Sequence, residues 1–398
     1  MKKKLLFVMP SLAAGGGEKS LVTLLAHLDY EQYDVDLFLF NPEGIFMSAL
    51  PKQVRLLETG AAHAVFSLPL LQSLRAMMAD RSLRLMVNRI GYFLRNQYRR
   101  GSSVTEQQSW KYIASALQPL EQKYDVAIGF LEKSSTYFCV DKVRADKKIG
   151  WIHIDYDKLG MDPHFDNPYF QQLDYIVTVS EECENILKRR FPQQQDKIRT
   201  IHNIVSPKLI KGLSQGQSRD VYGRKGKETI LLSIGRLHPQ KGFPLAIEAC
   251  SKLIAGGYNV RWFIIGDGED REMLEAEMKR HRLEGIFELI GLKENPYPYI
   301  EQCDIYVQPS KFEGKSIAID EAKILAKPII VTNFSTARDQ IRDGINGLIA
   351  PMDADSLAKT IAGLIDQPEL GSRLSRELSL EKLGTEEEMD KLYELVGG

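Results

Sequence analysis

Cysteine is scarce in this sequence. It occurs only at Cys139, Cys183, Cys250 and Cys303, with no CxxC pair, which argues against a zinc site or a disulfide framework and for a cytoplasmic setting. Charge of one sign is not in excess either: 52 Lys and Arg against 53 Asp and Glu give a formal net charge of −1. No global positive field therefore holds nucleic acid, and any basic surface must be local. Long apolar runs are also missing. None approaches the ~20 residues needed to cross a bilayer, and the apolar run Leu5 to Met9 is too short for a signal segment and meets Pro10. It reads as a buried first strand. If a membrane matters, the protein sits on it.

What is present is an ordinary globular composition, 43% apolar and 26% charged over 398 residues, enough for two or three domains at ~150 residues each. Apolar runs bounded by turn residues recur at Lys4 to Met9, Val35 to Phe40, Val126 to Phe130, Ile149 to Ile154 and Tyr175 to Val179. Such runs alternating with helical stretches predict parallel strands buried on both faces. After Ser206 the texture changes, and Lys211 to Lys227 reads as a linker or exposed loop. A second series follows at Ile230 to Ile234, Val260 to Ile265, Phe287 to Ile290, Ile305 to Val307 and Pro328 to Val331, with helices at Leu245 to Ile254 and Arg271 to Arg280. The expected fold class is α/β, two doubly wound units in tandem with a ligand cleft between them.

Four segments carry chemistry. Gly15, Gly16 and Gly17 follow the first strand and open a helix expected from Ser20 to Leu28, where a backbone can approach an anion; the spacing is not GxGxxG. In the second series Gly235-Arg236 and Lys241-Gly242 lie just past a strand end, two cations around a turn that suits a diphosphate. Gly266-Asp267-Gly268 sits at the next strand end. Finally, Glu313 and Glu321 bracket Gly314, Lys315, Ser316, Ile317 and a helix start, a spacing at which both carboxylates can face one ligand and bind vicinal hydroxyls while the helix-start amides suit a phosphate. Each segment alone also fits a plain loop or an acidic helix start.

Together, and in this order, these segments resemble the retaining family 4 glycosyltransferases of the GT-B fold, similar to bacterial enzymes of capsule, exopolysaccharide and lipopolysaccharide synthesis. The resemblance implies an acceptor-side Rossmann-like domain over 1–207, a donor domain over 208–383, and a terminal helix at about 384–398 packing back on the first domain. It implies that Arg236 and Lys241 contact the donor diphosphate, Glu313 the transferred sugar and Glu321 the ribose. Gly16, Gly17, Gly235, Gly266, Gly314, Lys315, Ser316 and Ile317 would line the donor, Gly291 would lie by the base, and His153 would be the histidine near the sugar. The implied donor is a nucleotide-sugar, a UDP-sugar, and the acceptor a saccharide or a polyprenyl-diphosphate-linked sugar; there is no cofactor, no metal is expected and no nucleic acid partner. Asp155-Tyr156-Asp157 has DxD spacing but lies in the first domain. Ala326 stands where the family often has glycine, and Lys315 and Ser316 where it often has aromatic or small apolar residues. A retaining sugar phosphorylase and a non-catalytic nucleotide-sugar binder remain as other readings.

The stretch Pro69 to Arg100 carries Arg75, Arg81, Arg84, Arg89, Arg95, Arg99 and Arg100 against a single acid, Asp80. At ~100° per residue, Leu83, Met86, Val87, Ile90, Phe93 and Leu94 share one helix face, with Arg81, Arg84, Arg95 and Arg99 opposite. This helix either packs on its own domain with a solvated basic face or meets anionic lipid or a lipid-diphosphate acceptor. The second choice makes the protein peripheral on the inner face of the cell membrane.

Overall fold

The computed structural model describes residues 2–13, 15–98, 102–215, 220–224 and 226–397. The chain divides into two compact units, one of Met1–Ala13, Gly17–His202 and Glu388–Gly398, the other of Ala14–Gly16 and Asn203–Glu387.

The first unit is built on seven parallel strands: β1 (Lys3–Met9), β2 (Tyr33–Leu39), β3 (Arg55–Leu57), β4 (Lys123–Gly129), β5 (Arg144–Ile152), β6 (Tyr175–Thr178) and β7 (Ile198–Thr200), in the order β3-β2-β1-β4-β5-β6-β7. Leu5 to Met9 of β1 are wholly buried, as a central strand covered on both faces requires. The helix Glu388–Gly397 closes this unit: Lys3 Nζ donates to the carbonyls of Val396 (3.1 Å) and Gly397 (2.8 Å), and Tyr393 stacks on Tyr33 with ring centres 5.7 Å apart.

The second unit has six parallel strands: β8 (Thr229–Ile234), β9 (Val260–Ile265), β10 (Phe287–Leu289), β11 (Ile305–Gln308), β12 (Ile329–Thr332) and β13 (Leu348–Ala350), ordered β10-β9-β8-β11-β12-β13. Alternate residues face opposite ways along each strand. Leu231, Trp262, Ile264, Val307 and Ile330 pack into one apolar layer with the helices Phe243–Ala255 and Ala354–Asp366, while Ile230, Leu232, Phe263, Ile265, Tyr306 and Val331 pack into the other.

Three strands escaped the sequence pattern: β3, β7 and β13 are edge or near-edge segments of three residues, only partly buried. A run that short, half in water, leaves no continuous apolar signature. The linker expectation over Lys211 to Lys227 is corrected in part. A helix, Pro207–Ser214, runs into it, and Tyr222 is buried against Phe263 with its hydroxyl donating to the Tyr299 carbonyl at 2.6 Å. Residues 203–205 join the second unit because Thr385 Oγ1 donates to the Asn203 carbonyl (2.8 Å) and accepts from the Val205 amide (2.9 Å). Ala326 has φ +51°, a left-handed conformation that explains why glycine suits that position. Among the described residues no helix is long and apolar enough to cross a membrane.

Candidate active site

In an open parallel sheet the loops that leave adjacent strands in opposite directions open a crevice at the strands' carboxyl ends. In the second unit that switch falls between β8 and β11, and the loops following these two strands carry Arg236, Lys241 and Glu313. After β8 the chain makes a short 3₁₀ turn, Pro239–Lys241, and turns into the next helix through Gly242 at φ +67°. A Cβ on Gly242 would stand 2.0 Å from the Pro309 carbonyl oxygen, so glycine lets the two loops touch. The contact is completed by the Lys311 amide donating to the Gln240 carbonyl at 2.7 Å.

Lys241 and Glu313 are joined. Lys241 Nζ lies 2.7 Å from Glu313 Oε1, and the carboxylate is 5% exposed. The same oxygen accepts from Ser310 Oγ (2.6 Å) and Gln308 Nε2 (3.2 Å), while Oε2 has only a 3.4 Å contact from Gln240 Nε2. Tyr306 donates to Gln308 Oε1 at 2.6 Å, which sets the Gln308 amide so that its NH₂ faces Glu313. Gln308, Ser310 and Gln240 were not singled out by the sequence; a glutamine at a strand end has no spacing signal that marks it. Arg236 is the free-standing member, its side chain 61% exposed and paired at 3.0 Å with Glu269, a residue equally absent from the expectation.

The remaining donor-side residues fall into two sets. Gly235, Gly266 and Gly291 stack the ends of β8, β9 and β10: the Gly266 amide donates to the Gly291 carbonyl at 3.1 Å, and a Cβ on Gly266 would meet the Gly235 oxygen at 1.9 Å. Gly314, Lys315, Ser316 and Ile317 lead into the helix Ile317–Ile324. Here one expectation is corrected. The Ser316 amide, expected to face phosphate, donates to Gln340 Oε1 at 2.9 Å, and Gln340 Nε2 returns a bond to the Ser316 carbonyl at 2.8 Å. Glu321 is buried and accepts from the Tyr297 hydroxyl at 3.0 Å. Glu321 and Glu313 both act on the buried Tyr306, whose phenol is pushed far up, first by burial and then by these charges.

In the first unit the corresponding switch lies between β1 and β4. The helix after β1 begins at Gly16, four residues ahead of the expected Ser20, and a Cβ on Gly17 would come within 3.0 Å of Leu131 beyond β4. His153 follows β5. Its ring packs on Phe130 (4.8 Å between centres) and Trp151 (5.9 Å), its amide donates to Glu132 Oε2 at 3.2 Å, and its Nε2 is shut from solvent without a partner among the described residues. Burial pushes its pKa down to about 3, so the ring is neutral at physiological pH. The DxD-like pair has local work: Asp155 caps the helix Tyr156–Leu159 by accepting from the Asp157 and Lys158 amides, and Asp157 pairs with Arg190 at 2.5 Å. Arg81, Arg84 and Arg95 are assembled elsewhere, on a helical hairpin, and Arg99 lies outside the described residues.

Two parallel-sheet α/β units of this kind define the GT-B type of fold. The family model described as Glycosyl transferases group 1 matches residues 214–378, most of the second unit. An uncharacterized glycosyltransferase of Methanocaldococcus jannaschii is 25% identical over 44% of this chain and 43% of its own length. A lipopolysaccharide core biosynthesis glycosyltransferase of Rhizobium meliloti is 28% identical over 52% and 58%, respectively. An N-acetylgalactosaminyltransferase of Campylobacter jejuni, named for a diphospho-undecaprenol-linked substrate, is 30% identical over 38% and 43%. The chain thus aligns with about half the length of these relatives. Among solved structures, Anabaena HepE in complex with UDP-glucose superposes with a TM-score of 0.71 at 14% identity, covering 99% of each chain. TarM of S. aureus gives 0.66 at 14% identity over 100% of this chain and 99% of its own.

Proposed function

We propose that this chain is a glycosyltransferase that moves a hexose from a nucleotide-sugar, a UDP-sugar, to a lipid-linked or glycan acceptor in bacterial envelope polysaccharide synthesis, with retention of anomeric configuration. The observation that carries the reading is the Lys241–Glu313 pair, held by Ser310 and Gln308 at the switch point of the second sheet beside the exposed Arg236. Names of relatives in lipopolysaccharide and diphospho-undecaprenol chemistry, and UDP-glucose in a structural neighbour, support the substrate class.

Breaking the bond between a sugar and a diphosphate builds negative charge on the leaving group and positive charge on the sugar. Fixed cations at the leaving group then stabilise the transition state more than the ground state. Arg236, whose partner Glu269 is exposed, is placed to turn from that partner to the diphosphate. Lys241 shares its three donor hydrogens between Glu313 and the phosphate side. Glu313 Oε1 is filled by protein donors, which leaves Oε2 for a sugar hydroxyl. Neutral His153, with Nε2 unpaired, offers one hydrogen bond to a sugar oxygen without adding charge. Glu321, whose carboxylate the Tyr297 hydroxyl orients, is the residue assigned to the ribose.

The test is a panel of nucleotides and nucleotide-sugars read by thermal shift, followed by transfer assays with soluble and prenyl-diphosphate-linked acceptors. A ligand present at 100 times its dissociation constant stabilises by about 2.7 kcal/mol, readily seen for UDP. No shift with any nucleotide would refute the donor assignment, and sugar-phosphate formation with inorganic phosphate would make the protein a phosphorylase.

A further inference from the structure

The arginine-rich segment forms a hairpin of two helices, Leu70–Ala79 and Leu83–Tyr98, and the longer one is rolled differently from the sequence expectation. Two residues explain the roll. Arg89 is turned inward: it is 8% exposed, its guanidinium sits 5.5 Å from the ring centres of both Phe66 and Tyr92, and it donates to the Leu68 carbonyl at 3.0 Å. Gly91 lies so close to the helix Ser103–Ile113 that a Cβ would meet the Tyr112 ring at 2.7 Å. Leu85, Met86 and Tyr92 therefore pack with Phe66, Met77 and Tyr112, and the expected apolar face is split.

The other part faces water. Leu83 (73%), Val87 (69%), Ile90 (41%) and Leu94 (53%) are exposed at helical spacing, and on the preceding helix Leu71 (71%) and Met78 (56%) are exposed too. Arg75, Arg81 and Arg84 are exposed on the same hairpin, and Asp80 is the single acid between residues 69 and 98. Arg84 stands about 100° from Leu83, at the flank of the stripe and not opposite it. Large apolar side chains flanked by arginines that have no ion pair among the described residues, in a chain of net charge −1, complement one kind of surface: acyl chains beneath anionic headgroups.

We infer that this hairpin docks the protein on an anionic lipid bilayer, with Leu71, Met78, Leu83, Val87, Ile90 and Leu94 entering the acyl boundary and Arg75, Arg81 and Arg84 at the headgroups. For its purpose the inference rests on the lipid-linked acceptor proposed above; the binding itself rests on the surface alone.

The experiment measures co-sedimentation of the full chain with vesicles of phosphatidylcholine, with and without phosphatidylglycerol. Wild type should bind only the anionic vesicles. Arg75→Gln with Arg84→Gln should weaken binding on the order of 30-fold at low salt and much less at high salt. Leu83→Ser, Val87→Ser, Ile90→Ser and Leu94→Ser together should weaken it more than about tenfold at any salt. Because these four side chains are outside the core, far-UV circular dichroism and the UDP-induced thermal shift should not change. As an independent reading, the emission of Val87→Trp should shift to the blue and be quenched by brominated lipid. Failure of wild type to bind anionic vesicles, or equal binding by the four-serine variant, overturns the inference. So does a wild-type dimer that the serines convert to a monomer without vesicle binding, which would make the face a contact between copies. Loss of the UDP shift in wild type would instead count against the donor assignment and leave the vesicle result standing.

Discussion

Replacing Lys241 by Met tests whether the Lys241–Glu313 pair is a structural clasp as well as a binding group. The lysine side chain is 19% exposed and the glutamate side chain 6%, with 2.7 Å between Nζ and Oε1. Removing one partner of a buried pair costs about 3–5 kcal/mol, because the other charge is left uncompensated. Here Ser310 and Gln308 still donate to Oε1, which favours the low end, about 3 kcal/mol. For a unit of this size each kcal/mol lowers Tm by about 2–4 °C, so Lys241→Met should lower it by roughly 6–12 °C. Adding Glu313→Gln removes the stranded charge, and the double variant should recover part of the loss. Urea and thermal unfolding of the four proteins form a double-mutant cycle, with a coupling of at least about 1 kcal/mol expected. A Tm for Lys241→Met within about 1 °C of wild type, or strictly additive losses, would refute the reasoning. Arg236, with its exposed side chain, is therefore the cleaner probe of the diphosphate.

Arg236→Ala should weaken UDP binding by about 2 kcal/mol, some 30-fold, with the Tm of the free protein unchanged because the side chain is 61% exposed; isothermal titration at unchanged affinity would remove Arg236 from the site. His153 titrates near 6.5 when unfolded and about 3 when folded, so the unfolded chain takes up the proton first. Its contribution to stability is complete above pH 6.5 and is lost as pH falls toward 3, at up to about 1.4 kcal/mol per pH unit. His153→Gln should flatten that slope in urea titrations across the window, and an unaltered slope would contradict burial of the ring. Transfer should proceed undiminished in EDTA and give a product of retained configuration by NMR; an inverted anomer or chelator-sensitive turnover would rule out the proposed chemistry. Gly242→Ala should destabilise the second unit by more than 2 kcal/mol, as a Cβ there meets the Pro309 oxygen at 2.0 Å with φ unfavourable to alanine; a Tm equal to wild type would show that the loop can yield.

Sequence alone determined the two parallel α/β units and the loops that carry the chemistry, because both are written in local signals. Strands such as Leu5 to Met9 or Val260 to Ile265 are continuous apolar runs, a pattern that only burial on both faces makes stable. Arg236, Lys241 and Glu313 stand at strand ends, where a parallel sheet opens its crevice. Tertiary structure decided which of these charges are committed. That Glu313 Oε1 is filled by Lys241, Ser310 and Gln308, that the Ser316 amide goes to Gln340, and that Glu321 meets Tyr297 depend on residues 3 to 72 positions away. It also decided the roll of the arginine-rich helix. Periodicity placed six apolar side chains on one face, but a face about 100° wide can turn either way; the inward Arg89, held between Phe66 and Tyr92, and the close approach at Gly91 turned Leu83, Val87, Ile90 and Leu94 to the solvent. Cation–π packing and the absence of one Cβ act across the fold, and neither leaves a mark in the spacing of residues along the chain.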